Sequence, residues 1–157
     1  MQALSTRARL AVATTLALGI AALTTSCSGS SASACGGYRK DKVIRIGSHK
    51  IDAEVVDTES SLEKGLGGRK CIGSDQGMLF VFKQPGVYSF GMRGMKFPID
   101  MVWLGADRTV VWVERNVSPS TYPTNFFNRN DPAQYVLELK AGTARTLGLK
   151  IGAPVRF

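Results

Sequence analysis

Residues Gly77–Val113 read GMLFVFKQPGVYSFGMRGMKFPIDMVWLGADRTVVWV. This stretch holds both tryptophans and four of the five methionines of the chain. Met78–Phe82 is an unbroken apolar run between turn residues, as expected of a strand buried on both faces. Lys83-Gln-Pro85-Gly86 carries the proline and glycine of a type II turn, which predicts a returning strand over Val87–Met92. A third strand is expected over Pro98–Leu104. Gly105-Ala-Asp107 then turns the chain into a fourth, over Arg108–Arg115. Two hairpins in succession predict an antiparallel meander.

The flanking sequence extends the same pattern. Val43–Ile46 and Ile51–Val56 read as short strands, the second with alternating burial. Asp57 and Thr58 are N-cap candidates for a short helix through Lys64, with Ser60-x-x-Glu63 as a rival capping box. Gly65, Gly67 and Gly68 then end that helix. Asn116–Ala133 contains three prolines and four asparagines, which excludes regular structure over most of it. Loops of this length in a compact domain are usually functional or disordered, and Tyr122, Phe126 and Phe127 need a surface to pack on. Tyr135–Leu139 alternates as a strand, Ala141–Leu147 suits one or two helical turns, and Gly152–Val155 suits an edge segment. The expectation is a single all-β domain over 42–157, an antiparallel barrel or sandwich with small helices.

The residues before that domain have a different character. Arg7 and Arg9 precede the apolar run Leu10–Leu23, which is shorter than a membrane span and has the layout of an export signal. It ends in Leu23-Thr-Thr-Ser-Cys27, which resembles the bacterial lipoprotein processing box, although leucine stands four rather than three residues before the cysteine. The expectation is a signal over 1–27 and lipidation of Cys27. Ala32-Ser-Ala34 is a rival site for ordinary cleavage. Residues 28–41 are rich in serine and glycine and read as a flexible tether. The protein is thus expected outside the cytoplasm, held to the membrane by a lipid anchor. Export also makes a Cys35–Cys71 disulfide feasible, with free cysteines as the alternative.

The formal net charge is +8. Without Arg7 and Arg9, 18 basic residues face 12 acidic ones, a net charge of +6. The basic residues are scattered singly or in pairs, with no clustered run, so nucleic acid is not expected as a partner. A basic surface facing anionic lipid or cell wall fits better.

Thr58…Lys64-Gly-Leu66…Arg69, Gly77-Met-Leu-Phe-Val-Phe82, Phe90-x-Met92, Pro98-Ile-Asp100, Val110-Val111 and Tyr135-Val-Leu-Glu-Leu139-x-Ala-Gly142 occur in that order. Their series resembles the domain-of-unknown-function 192 family over about Ile44–Val155. The resemblance implies an all-β barrel or sandwich with small helices, often exported or membrane-attached, and no assigned reaction. The chain departs from the family at Gly91 and Gly94, where members tend to carry an aromatic residue and an asparagine. It also lacks the cysteine pair that some members carry in the Asn116–Ala133 loop.

Candidate sites follow from residue chemistry. Asp100 enters the apolar strand Met101–Leu104, and a carboxylate there needs partners. It is expected either to bind a ligand in a cleft or to tie down the Gly91–Phe97 loop. Trp103, Met92, Tyr122, Phe126 and Phe127 are expected to line that cleft, with Arg93 and Lys96 at its mouth. The expected role is therefore binding of a small ligand or an envelope partner, without a cofactor. An enzyme using Asp100 with Glu114 is an alternative, but no recognisable catalytic constellation or zinc spacing appears. A second alternative is copper handling through Met78, Met92, Met95 and Met101 with His49, set against their use as core filling.

Overall fold

The structure, a computed structural model, describes residues 35–128 and 131–157. The expected signal over 1–27, the lipidation of Cys27 and the first part of the tether lie outside the described residues. Among the described residues, no helix is long and apolar enough to cross a membrane.

The element order is β1 (Lys42–Ile46), β2 (His49–Val56), α1 (Glu59–Lys64), β3 (Gln76–Gly86), β4 (Ser89–Gly91), β5 (Ile99–Leu104), β6 (Val110–Val117), β7 (Asn125–Phe127), β8 (Ala133–Lys140) and α2 (Thr143–Thr146). A six-stranded sheet runs β1-β2-β3-β8-β5-β6, and β4 pairs with β7 in a small second sheet. All pairings are antiparallel except β2 with β3, which are parallel and joined through α1.

The domain is mostly β, as expected, but the main sheet is not closed into a barrel. Its edge strands β1 and β6 do not pair. The C-terminal segment lies across the gap instead, bridging Arg45 through Arg156 and Thr109 through Pro154. Arg45 and Arg156 exchange backbone hydrogen bonds of 2.8 and 3.0 Å. Each edge is thereby engaged over a short stretch, at Arg45 in β1 and at Thr109 and Val110 where β6 begins.

The first hairpin forms differently from the expectation. No turn occurs at Pro85-Gly86, and β3 runs on to Gly86. The side chain of Asn128, from the long loop, takes up the polar groups at this corner. Its Oδ1 accepts from Tyr88 N at 3.0 Å, and its Nδ2 donates to Gly86 O at 3.2 Å and Asp131 O at 2.7 Å. The following strand is therefore only β4, which pairs with β7 rather than returning along β3. The long loop thus contributes a strand and a 3-10 turn over Pro119–Thr121.

Both faces of the main sheet are covered. On one face Leu79, Val102, Leu104, Leu137 and Leu139 pack against Ala144, Leu149 and Val155 from the C-terminal region. On the other Met78, Phe80, Met101, Trp103 and Val136 pack against Leu66, Ile72, Met92, Phe90 and Phe126 from the connections.

The described part of the tether is bound to the domain. Cys35 is disulfide-bonded to Cys71, with Cα atoms 4.9 Å apart. The Tyr38 hydroxyl accepts from Gly77 N at 2.9 Å, and Arg39 N donates to Glu54 Oε1 at 3.0 Å. The helix α1 is capped by Thr58 in a capping box with Ser61, not by the Ser60/Glu63 alternative.

Candidate functional site

Asp100 is fully buried, and neither carboxylate oxygen is left over. Asn116 N donates to Oδ1 and Ala144 N to Oδ2, both at 2.8 Å. The local sequence explains both bonds. Between the pairs Ile99↔Val117 and Met101↔Glu114 the register shifts, so Arg115 and Asn116 together oppose Asp100 in a bulge. Asn116 takes φ 53 there, and the carboxylate receives its freed N–H. The second bond caps α2, whose own N-cap residue Gly142 has no side chain to do so. Asp100 thus ties the bulge and α2 together, not the Gly91–Phe97 loop, and is buried out of reach of solvent.

The register also separates the two carboxylates of the enzyme alternative. Glu114 stands opposite Met101, on one face of the sheet, and Asp100 points to the other. They do not form a pair.

The face that carries Met101 holds a row the sequence reading missed. Cα partners run Glu54↔Met78, Met78↔Glu138, Glu138↔Met101 and Met101↔Glu114 across β2, β3, β8, β5 and β6. Three glutamates alternate with two methionines, and neighbouring carboxylates stand on strands roughly 10 Å apart. The outer two have partners. Glu54 accepts from Arg69 at 2.7 Å, and Glu114 accepts from Trp112 Nε1 at 2.9 Å. The central one is different: Glu138 is 5 % exposed, and its Oε2 is buried without a hydrogen-bond partner. Desolvation pushes its carboxyl up to about 8, so it is a neutral acid at physiological pH.

Glu138 lines a cleft of ≈ 580 Å³. Walls come from Leu62, Gly65 and Gly67 at the end of α1, Phe80 and Phe82 on β3, and Tyr88, Phe90 and Gly91 at β4. Arg93, Met95, Tyr122 and Asn125 complete the rim. The rings hold one another in place. Phe82 stacks on Tyr88 at 3.5 Å, and Phe90 sits edge-on to Phe80 at 4.8 Å and to Trp103 at 5.8 Å. Trp103 Nε1 donates to Tyr88 O at 3.1 Å, which fixes the β4 wall to the core. Two glycines let the walls approach. A Cβ on Gly65, which has φ +47, would lie 3.2 Å from Phe80, and one on Gly91 would lie 2.6 Å from Asn125 Oδ1. At the rim Arg93 pairs with Glu63 at 2.7 Å.

Of the expected site residues, the cleft brings together Arg93 and Tyr122. Met92 and Trp103 are buried behind its wall, and Phe126 packs there partly buried. Phe127 belongs to β7, opposite Ser89, while Lys96 is exposed and not part of the lining. Among the described residues, no three His, Cys, Asp or Glu side chains are grouped so as to hold a metal. The four methionines do share one cluster, but Met78, Met92 and Met101 are buried core residues and only Met95 lines the cleft. His49 lines a separate recess with Lys50 and Thr143.

Glu138 escaped the sequence reading because Tyr135–Leu139 alternates. In a one-sided sheet that alternation sends Glu138 to solvent. β8 is instead a central strand with both faces covered. The available signal was an acidic residue between Leu137 and Leu139, the same signal that singled out Asp100.

A family model described as "Uncharacterized ACR", DUF192, matches residues 42–157. No curated protein matches the chain. Two solved structures resemble it. One is a protein of unknown function from Novosphingobium aromaticivorans, 31% identical, with a TM-score of 0.67 over 73% of this chain and 82% of that one. The other, from Sinorhizobium meliloti, is provisionally described as a transcription regulator. It is 30% identical, with a TM-score of 0.67 over 73% of this chain and 89% of that one.

Proposed function

This chain belongs to the DUF192 family, and we propose that it is an exported, lipid-anchored binding module that takes a small ligand into the cleft above Glu138. One observation carries the binding part. A buried carboxyl without a partner opens into a ring-lined cleft, and a buried polar group left unpaired is costly unless something is meant to meet it. The rings supply apolar area and the carboxyl supplies orientation, the usual division of labour in small-molecule sites. The Cys35–Cys71 bridge supports the export part, since such bonds persist in oxidising compartments.

Chemical-shift mapping against a library of envelope sugars and small metabolites tests the cleft. Perturbations should centre on Phe82, Tyr88, Phe90, Tyr122 and Glu138. A hit that moves only other surfaces, or no hit at all, removes the binding reading. Palmitate labelling in cells tests the anchor. Label should enter the parent protein and be lost in Cys27→Ala. Unlabelled protein released into the medium would show ordinary cleavage instead.

A further inference from the structure

Resting on the cleft reading, we infer that the ligand is an organic ammonium ion with an apolar or aromatic body, whose charged head docks on Glu138 and displaces its proton. The floor of the cleft explains the choice. Glu138 Oε2 has no hydrogen-bond partner, and its strand neighbours Met78 and Met101 offer thioethers, which cannot donate. An N–H-bearing cation supplies the missing donors and the missing charge together. The surrounding rings favour the same sign. Phe80, Phe82, Tyr88 and Phe90 line the cleft, aromatic rings attract an ammonium head more than an anion, and their breadth suits an apolar body.

The other charges around the site fit this. On the neighbouring strands Glu54 is held by Arg69, and Glu114 by Trp112. Neither supplies a cation to Glu138. On the α1 side the rim holds Glu63 and Lys64, and beyond β4 it holds Arg93, whose charge is matched by Glu63. These three side chains are exposed and screened by water, so they weigh less than the buried carboxyl. Tyr88 and Tyr122 also line the cleft, and the Tyr88 hydroxyl is engaged with Gln84 O at 2.6 Å. An anionic ligand would accept at most one hydrogen bond from the neutral acid and, among the residues lining the cleft, would find no buried cation to pair with.

The exchange balances. The neutral acid of Glu138 gives its proton to bulk water, and the incoming cation pairs with the carboxylate that remains. The empty site is thus uncharged, and the filled site is an ion pair within a ring-lined recess. Because burial raises the carboxyl to about 8, binding below that pH must release a proton.

The test is titration calorimetry of the full mature protein with three probes of one shape: phenethylammonium, 2-phenylethanol and 3-phenylpropionate. Phenethylammonium should bind tightest. Its affinity should rise about tenfold per pH unit up to about pH 8, with close to one proton released per ligand at lower pH. Buffers of different ionisation enthalpy would count that proton. Glu138→Gln should abolish the proton release and the preference for the cation, while the variant still unfolds cooperatively in urea and so shows an intact fold. Equal binding of the cation and the alcohol without proton release would overturn the inference and leave the cleft reading standing. Preference for 3-phenylpropionate would do the same. Binding of no probe, with no metabolite moving the cleft residues in the mapping experiment, would remove both.

Discussion

Replacing Glu138 by glutamine removes the ionisable proton and keeps the length of the side chain. The carboxyl titrates near 4.5 when unperturbed and near 8 in the fold. Between those values the native protein holds a proton that the unfolded chain has released. By linkage, stability then falls as pH rises through that window, and the penalty is complete above the folded value. One pH unit corresponds to about 1.4 kcal/mol, so at pH 7 the parent protein forfeits up to about 3 kcal/mol that the glutamine variant keeps. The variant should match the parent near pH 4.5 and gain on it steadily to about pH 8, where the difference levels off. Urea unfolding followed by tryptophan fluorescence, repeated across that range, reads the difference directly. All other groups titrate alike in both proteins, so subtraction isolates Glu138. Parallel stability curves would refute the assignment of an unpaired buried carboxyl. A variant that loses ground on the parent as pH rises would show that the carboxylate has a partner in the fold.

Other substitutions probe the frame around the cleft. Asp100→Asn keeps one acceptor for two backbone N–H groups and turns an amide donor toward the other, so unfolding free energy should drop by about 2–4 kcal/mol. Phenethylammonium affinity at the cleft should not change by more than about twofold, because Asp100 lies on the opposite face of the sheet. A selective loss of binding with stability intact would reinstate Asp100 as a site residue. Replacing Cys35 and Cys71 together by serine opens a loop with a sequence separation of 36 and should lower stability by about 3–4 kcal/mol. An unchanged urea midpoint would show that the bridge does not restrain the unfolded chain.

Much of the architecture could be read from local chemistry. Val43–Ile46, Ile51–Val56, Pro98–Leu104 and Tyr135–Leu139 each announced a strand through apolar runs or alternation, and each is found with ends shifted by a few residues at most. Thr58 was legible as a cap because a side-chain acceptor before a helix acts locally. The misreadings share a different cause: they depend on partners far away in sequence. Pro85-Gly86 has turn composition, but Asn128, some 40 residues later, decides the backbone there. Barrel closure depended on whether β1 could reach β6, and the C-terminal segment occupies the space between them. Asp100 was recognisable as a carboxylate in an apolar strand, yet its partners sit 16 and 44 residues on. Glu138 was hidden for the converse reason. Its alternating strand reads as half-exposed, and only the sheet order shows that both faces are covered.

The pH titration of the Glu138 side-chain carboxyl carbon by NMR, in the free protein, asks the central question most directly. A midpoint near 8 is predicted, in keeping with a neutral acid waiting at the floor of the cleft. A midpoint near the ordinary 4.5 would mean that water or a protein donor already serves this carboxyl, and the cleft would then lose the group that gives it a ligand.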